Sequence, residues 1–351
     1  MLLVEVLHQN LRSLTGLAAE ARNPERGTRN SDNFGRQQNC RPLLLEEGIN
    51  NLAREVDSTL RSRRQTCFPV RMSPDHTARR VQLRRLTGAS PGAEEPDLVA
   101  IEEPLELRIG GRSLAVVMRT PGHDRELAAG FLWTEGIIRA REDVVDLTYC
   151  GDADGKPQEN VLNVVLAPGR AVDWGRLQRH TFASSSCGLC GKVTIDSVRQ
   201  QFAPVRQPLA PRRAVLYALP DQLRAAQKTF AATGGLHASA LFTPAGELLV
   251  VREDVGRHNA LDKAIGWAFF AERLPLAECV LLLSGRVSFE IMQKALAAGI
   301  PAVVAISAPT SLAVEFAQES GQTLVGFLRG EKMNVYAGAV EEARRGRNDA
   351  V

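Results

Sequence analysis

The last third of the chain contains the pattern that most restricts the possible folds. Three short, continuous apolar runs, CVLLLS, AVVAIS and TLVGFL, alternate with two stretches, VSFEIMQKALAAG and SLAVEFAQESG, whose apolar residues have helical spacing. A strand that is apolar at every position is covered on both faces, as in a parallel sheet packed between helices. The sequence therefore predicts an α/β fold with a β-α-β-α-β unit in this part of the chain.

The polar residues that follow these runs form a first candidate site. The carboxyl ends of parallel strands meet at one edge of a sheet, and ligands bind beyond that edge. Hydroxyl groups, backbone amides at helix starts and cationic side chains suit a ligand that carries phosphate groups. Such residues are equally typical of ordinary turns and caps, so the pattern alone leaves both interpretations open. The candidates are Ser284, Gly285 and Arg286, then Ser307 to Thr310, and finally Arg329 to Lys332.

Residues 96–180 are predicted to form a smaller α+β region. Two alternating apolar runs flank Gly110 and Gly111, which is the signature of a β-hairpin with a primed turn. The segment DRELAAGFLWTEGII predicts a helix that Asp124 caps, and NVLNVVLA predicts a strand. Residues 181–340 are assigned to the α/β domain, and residues 341–351 to a tail.

Residues 1–95 have the composition of a mostly disordered, basic extension. The stretches ARNPERGTRNSDNFGRQQN and TGASPGAEEPD are rich in polar residues, glycine and proline, and they have too little apolar surface to offset the entropy of ordering. The exception is a helical spacing of apolar residues, which predicts one amphipathic helix. Its apolar residues are Leu45, Ile49, Leu52, Val56 and Leu60.

Composition excludes several classes of function. The formal net charge of +3 is too small to imply general binding to nucleic acid. No stretch approaches the roughly 20 apolar residues of a membrane span, so no membrane association is predicted. Six cysteines in 351 residues, mostly scattered, do not make a secreted disulfide scaffold. Together with the absence of a signal-peptide pattern, this composition predicts a cytoplasmic protein.

Cys187 and Cys190 lie three positions apart in the stretch SSSCGLCGK. A structural zinc site needs four ligands, and no second cysteine pair is present. A deaminase-type zinc site needs Pro-Cys-x-x-Cys, but Ser186 replaces the proline, so no metal is predicted. A helical pattern behind Cys190 and the nearby Lys192 would lower the pKa of a thiol and make it nucleophilic. A dithiol reductase and a mobile carrier of sulfur both remain open at this point.

Several long motifs together closely resemble the FdhD/NarQ family, the sulfur carrier proteins required for formate dehydrogenase activity. The resemblance covers about residues 97–338, and the motifs occur in the order of the family. They are MRTPGHDRELAAGFLWTEGII, SSCGLCGK, TGGLHASALFTPAGELLVVREDVGRHNALDKAIG and SGRVSFEIMQKALAAGIPAVVAISAPTSLAVEFA.

The resemblance implies a cytoplasmic sulfurtransferase. It would accept sulfur from a cysteine desulfurase as a persulfide and pass it to the bis-molybdopterin guanine dinucleotide form of the molybdenum cofactor, on which formate dehydrogenase depends. The resemblance also implies a homodimer and a cytidine-deaminase-like, three-layer α/β domain without the catalytic zinc. The alternative is a chaperone that binds the cofactor and formate dehydrogenase but performs no sulfur chemistry.

Carried onto this chain, the resemblance makes Cys187 the persulfide-bearing nucleophile, with Cys190 assisting transfer or protecting against over-oxidation. Arg286, Arg329 and Lys332 would neutralise phosphate charge. His258, with Arg257 and Asp254, would belong to the cofactor pocket, unless REDVGRHNALDK is only a capped helix start. The family's cofactor contact falls on Phe327, Leu328, Arg329, Gly330, Glu331 and Lys332.

Overall fold

The computed structural model describes residues 76–88, 92–151, 157–174 and 202–342. Cys187 and Cys190 lie outside these ranges, as do residues 45–60, for which the sequence predicts an amphipathic helix. Among the described residues, no helix combines the length and the apolar composition needed to cross a lipid bilayer.

A six-stranded sheet forms the centre of the fold. Its strands are β7 (His237–Phe242), β8 (Leu248–Asp254), β9 (Val280–Leu283), β10 (Ala302–Ala305), β11 (Thr323–Arg329) and β12 (Lys332–Ala337). Their order in the sheet is β12-β11-β10-β9-β7-β8, and β9, β10 and β11 are parallel neighbours. β7 runs antiparallel to both β8 and β9, and β12 runs antiparallel to β11.

Helices cover both faces of this sheet, as the continuous apolar strands predict. Every residue of β9 and β10 is buried. One face packs on α2 (Arg213–Ala226), through Leu216, Leu219 and Leu223. The opposite face packs on α4 (Arg257–Phe270), α5 (Phe289–Ala297) and α6 (Ser311–Ser320). The short helix α3 (Lys228–Thr233) precedes β7.

A second sheet has four strands, β3 (Glu103–Ile109), β4 (Arg112–Arg119), β5 (Val144–Gly151) and β6 (Pro157–Leu166). Their order in the sheet is β4-β3-β6-β5. The hairpin predicted around Gly110 and Gly111 is confirmed, because both glycines have positive φ and join two antiparallel strands.

Helix α1 (Asp124–Thr134) lies between the second sheet and α4. The prediction that Asp124 caps this helix is wrong, because His123 occupies the cap position in a left-handed conformation and makes no side-chain cap. Asp124 is instead a buried ion-pair partner of Arg119, at 2.9 Å. The pattern of the segment correctly indicates a helix, but burial of a nearby arginine decides what the carboxylate does.

Two glycines bring α1 and α4 into backbone contact. A Cβ atom on Gly266 would lie 1.8 Å from the carbonyl oxygen of Glu126, and one on Gly130 would lie 1.9 Å from that of Asp262. Neither distance can accommodate a side chain. The two glycines therefore set the spacing of α1 and α4, which joins the second sheet to the first.

Strands β1 (Ala78–Arg85) and β2 (Ala93–Ala100) form a two-stranded antiparallel ribbon. The sequence predicts disorder for most of residues 1–95, so the strand structure of residues 78–85 and 93–95 departs from that prediction. Pairing of the two strands explains the difference, and Arg85 forms an ion pair with Glu95 across the ribbon. The ribbon is also joined to α3, because Oγ1 of Thr77 lies 3.2 Å from Oγ1 of Thr229.

Candidate functional site

The residues at one edge of the six-stranded sheet form the candidate site. Ser284 and Arg286 follow β9, Ser307 follows β10, and Arg329 ends β11. His237 at the start of antiparallel β7 and Arg257 after β8 lie at the same edge. With about 4.8 Å between neighbouring strands, the row from β7 to β11 is about 14 Å long.

Ser284 has a structural role at this edge. Its Oγ accepts a hydrogen bond of 2.8 Å from the backbone N–H of Ala238 and so closes the β7–β9 ladder. The backbone oxygen of Ser307 accepts a hydrogen bond of 3.1 Å from the N–H of Phe327. Both serines thus help to fix the shape of the edge, and their role in binding a ligand stays a prediction.

The turn from Phe327 to Lys332 protrudes beyond the parallel strands. Phe327 has a φ of 53° and is 40% exposed, an uncommon conformation for a bulky residue. Gly330 also has positive φ, and Arg329, Glu331 and Lys332 are exposed. Leu328 is fully buried in the core against α2, so its side chain cannot contact a ligand as the resemblance implies.

His258 is half-buried at the start of α4. Its Nε2 lies 3.0 Å from a carboxylate oxygen of Glu290 and 3.3 Å from Oγ of Ser288. Burial, followed by the positive charges of Arg257 and Lys294, lowers the pKa of His258 to about 3. The imidazole is therefore neutral at physiological pH and can donate one hydrogen bond.

His237 and Arg257 are two site residues whose proximity the sequence did not reveal. A Cβ atom on Gly285 would lie 3.1 Å from Nδ1 of His237 and 3.7 Å from Cβ of Arg257, so the three residues are packed together. Burial and the neighbouring Arg257 and Arg286 lower the pKa of His237. The glycines before His237 and the motif GRHN marked both residues as candidates. The sequence did not show that β7 pairs antiparallel with β9, which is what brings His237 to this edge.

Four cationic side chains lie at this edge without a carboxylate partner among the described residues. In the described ranges, neither Arg257, Arg286 nor Lys332 has a carboxylate within ion-pair distance, and Arg329 contacts only the carbonyl oxygen of Ile306, at 3.4 Å. Some arginines elsewhere in the fold are paired, such as Arg119 with Asp124 and Arg252 with Glu126. Unpaired cations in a row provide a surface for an anion that carries several charges.

A buried network fixes the start of α4 behind these cations. Asp254 is fully buried, and its carboxylate pairs with Lys263 at 2.7 Å. The same carboxylate accepts hydrogen bonds from the backbone N–H groups of Gly256 and Thr120, at 2.8 and 3.1 Å, and from Nδ2 of Asn259 at 3.0 Å. This network supports part of the capped-helix interpretation, since Asp254 accepts a hydrogen bond from the backbone amide of Gly256, the residue just before the first turn of α4.

Comparisons with known proteins are consistent with this architecture. The family model for the FdhD/NarQ family matches residues 100–342. A protein from Mycolicibacterium paratuberculosis is 53% identical over 262 residues, which cover 73% of this chain and 96% of the relative. A protein from Sulfolobus acidocaldarius is 43% identical over 244 residues, which cover 70% and 90%. Both relatives are named sulfur carrier protein FdhD.

The chain belongs to the FdhD/NarQ family. A solved structure shares the fold of this FdhD/NarQ protein, with a TM-score of 0.58 and 24% sequence identity over 74% of this chain and 97% of the other. It is the crystal structure of a protein from Desulfotalea psychrophila described as a candidate formate dehydrogenase accessory protein. β1 and nearly all of β2 precede the part of the chain that matches the family model.

The cysteine pair of this FdhD/NarQ protein lies outside the described residues, so the roles of Cys187 and Cys190 stay predictions. Within the described part, no group of three His, Cys, Asp or Glu side chains is arranged to hold a metal ion. Cys279 is buried there, and burial raises the pKa of its thiol. Cys279 is therefore a poor nucleophile compared with a thiol near a helix start.

Proposed function

We propose that this FdhD/NarQ protein is a sulfur carrier that accepts a persulfide sulfur from a cysteine desulfurase on Cys187. It delivers that sulfur to the bis-molybdopterin guanine dinucleotide cofactor, which is its substrate and which formate dehydrogenase requires. We also propose that it acts in the cytoplasm as a homodimer and that its α/β domain is cytidine-deaminase-like. Family membership and the names of its relatives support sulfur carriage.

The row of unpaired cations is the observation that carries the acceptor part of this proposal. The phosphate groups of a dinucleotide cofactor need several positive charges, and Arg257, Arg286, Arg329 and Lys332 supply them along one sheet edge. The imidazole of His237, whose pKa is lowered, adds a hydrogen-bond donor without adding charge, whereas Nε2 of His258 already faces the carboxylate of Glu290. Phe327, held at positive φ and exposed, offers an apolar surface to a ring system.

The sulfur chemistry balances with two cysteines. The Cys187 thiolate attacks the outer sulfur of the desulfurase persulfide, and the desulfurase cysteine leaves as a thiolate, so no oxidant is needed. The Cys190 thiolate then attacks Sγ of Cys187, and the outer sulfur leaves as hydrosulfide with both electrons of the broken bond. A disulfide remains between the two cysteines, and a thiol reductant restores both thiols. The hydrosulfide is the species delivered to the metal.

Replacing Cys187 with alanine should abolish this activity. In a strain that lacks its own FdhD/NarQ protein, the Cys187→Ala variant should lower formate dehydrogenase activity by about 100-fold or more, because no persulfide can form. Cys279→Ala is the matched control, because it removes a buried thiol of raised pKa, and it should leave activity within about twofold. Formate dehydrogenase activity in cell extracts at equal protein levels is the measurement.

The same experiment decides between sulfur transfer and a chaperone. A protein that only holds the cofactor for formate dehydrogenase needs no thiol at position 187. Full activity with Cys187→Ala would therefore refute sulfur carriage and favour the chaperone.

A further inference from the structure

The guanidinium group of Arg257 carries one of five buried side-chain polar atoms that have no hydrogen-bond partner in the part of the chain that the structure describes. This atom is the Nε, and it is buried without a hydrogen-bond partner among the described residues. Within the described ranges, the electrostatic interactions of Arg257 are with the imidazoles of His237 and His258, and no carboxylate pairs with it. A buried, unsatisfied donor on a charged group is costly unless a ligand satisfies it.

Among the described residues, the carboxylates near the start of α4 form no ion pair with Arg257. Asp254 is the nearest buried carboxylate along the chain, but Lys263, Gly256, Asn259 and Thr120 already occupy its oxygens. Glu290 instead contacts His258. The acidic groups around the start of α4 are therefore committed elsewhere, which leaves the charge of Arg257 for an external anion.

The position of Arg257 is fixed rather than adaptable. The backbone amide of Gly256 is held by Asp254, and Asn259 Nδ2 also donates to the carbonyl oxygen of Met118, at 2.8 Å. A Cβ atom on Gly256 would lie 2.9 Å from Asn259 Nδ2, so the turn closes tightly around this contact. Arg257 thus starts from a rigid turn beside Gly285, at the end of β9.

We infer that Arg257 binds a phosphate group of the substrate directly, in a subsite formed with Arg286 and the imidazole of His237 and held in place by Asp254. This inference rests on the proposed function for the identity of the substrate, but it specifies which group binds the phosphate. An arginine fork presents paired N–H donors that match two phosphate oxygens, which Lys cannot reproduce.

Isothermal titration with inorganic pyrophosphate and with guanosine diphosphate tests the inference on the full chain. The Arg257→Gln variant should weaken binding of both probes by about 10- to 100-fold, as expected for loss of charge-assisted hydrogen bonds. The Arg257→Lys variant should fall in between, and the affinity of Arg257→Gln should depend less on salt than that of the wild type. Arg273→Gln, an exposed arginine beyond the opposite end of α4, is the matched control and should change affinity by less than about twofold.

Equal affinities for Arg257→Gln and Arg273→Gln would overturn the inference, as would a wild-type protein that binds neither probe. Thermal unfolding of both variants shows whether they are folded. Persulfide formation on Cys187 needs no phosphate ligand, so Arg257→Gln should still form it. Failure of sulfur loading in every variant would count against the proposed function, whereas normal loading with unchanged pyrophosphate affinity would count against this inference alone.

Discussion

Replacing Gly266 with alanine should lower the free energy of unfolding by about 3 kcal/mol or more. The added Cβ would meet the carbonyl oxygen, the carbonyl carbon and Cα of Glu126 at 1.8, 2.5 and 2.7 Å. All three are backbone atoms, so no side-chain rotation relieves the clash. The helices α1 and α4 must move apart, which opens the apolar contacts that α1 makes with both α4 and the second sheet. Denaturant unfolding followed by circular dichroism measures the effect.

Whether Gly266→Ala lowers or raises the free energy of unfolding distinguishes a backbone clash from a gain in helix propensity. By helix propensity alone, alanine in place of glycine would stabilise an exposed helix position by about 1 kcal/mol. The variant Ala218→Gly, at an exposed position in the interior of α2, measures that propensity in this protein and should cost about 1 kcal/mol. A Gly266→Ala protein as stable as the wild type would contradict the close approach of the two helices.

Replacing Lys263 with methionine should cost about 3 to 5 kcal/mol of stability at neutral pH. Lys263 is 1% exposed, and its ammonium group pairs with Asp254 and donates to the carbonyl oxygen of Thr120 at 2.8 Å. Methionine has a similar volume, but it leaves the Asp254 carboxylate buried without a cation and leaves one acceptor unpaired. Loss of the network also frees the start of α4, so affinity for pyrophosphate should fall as well.

Two further variants separate the ion pair from other effects. Lys228→Met replaces an exposed lysine at the start of α3 and should change stability by less than about 0.5 kcal/mol. The double variant Asp254→Asn with Lys263→Met removes both charges and should recover part of the loss. A single Lys263→Met variant with wild-type stability would show that Asp254 is not compensated by this lysine.

Much of the α/β core followed from local pattern. β9 and β10 are apolar at every position because both faces are covered, and that pattern also located the strand ends where Ser284, Ser307 and Arg329 lie. The hairpin at Gly110 and Gly111 followed from residues that tolerate positive φ. Such features depend on the properties of a few neighbouring residues, which a sequence displays directly.

The remaining features depend on contacts between distant segments. Asp124 resembles a helix cap in sequence, but Arg119 and Tyr149 take its oxygens. The sequence predicts that Ser284 binds a ligand, but it does not show that the hydroxyl oxygen also accepts a hydrogen bond from the backbone amide of Ala238. The approach of His237 to Gly285 requires that β7 insert antiparallel beside β9, which no local pattern specifies. The motifs nevertheless identified the Cys187–Cys190 pair as the candidate redox chemistry.

Mass spectrometry of the protein after incubation with an active cysteine desulfurase and cysteine shows whether Cys187 carries sulfur. We expect a mass increase of about 32 Da, one sulfur atom, on the peptide that contains Cys187, and a thiol reductant should remove it. The Cys187→Ala protein should not gain this sulfur. A wild-type protein whose Cys187 peptide stays unmodified while the desulfurase turns over cysteine would contradict sulfur carriage.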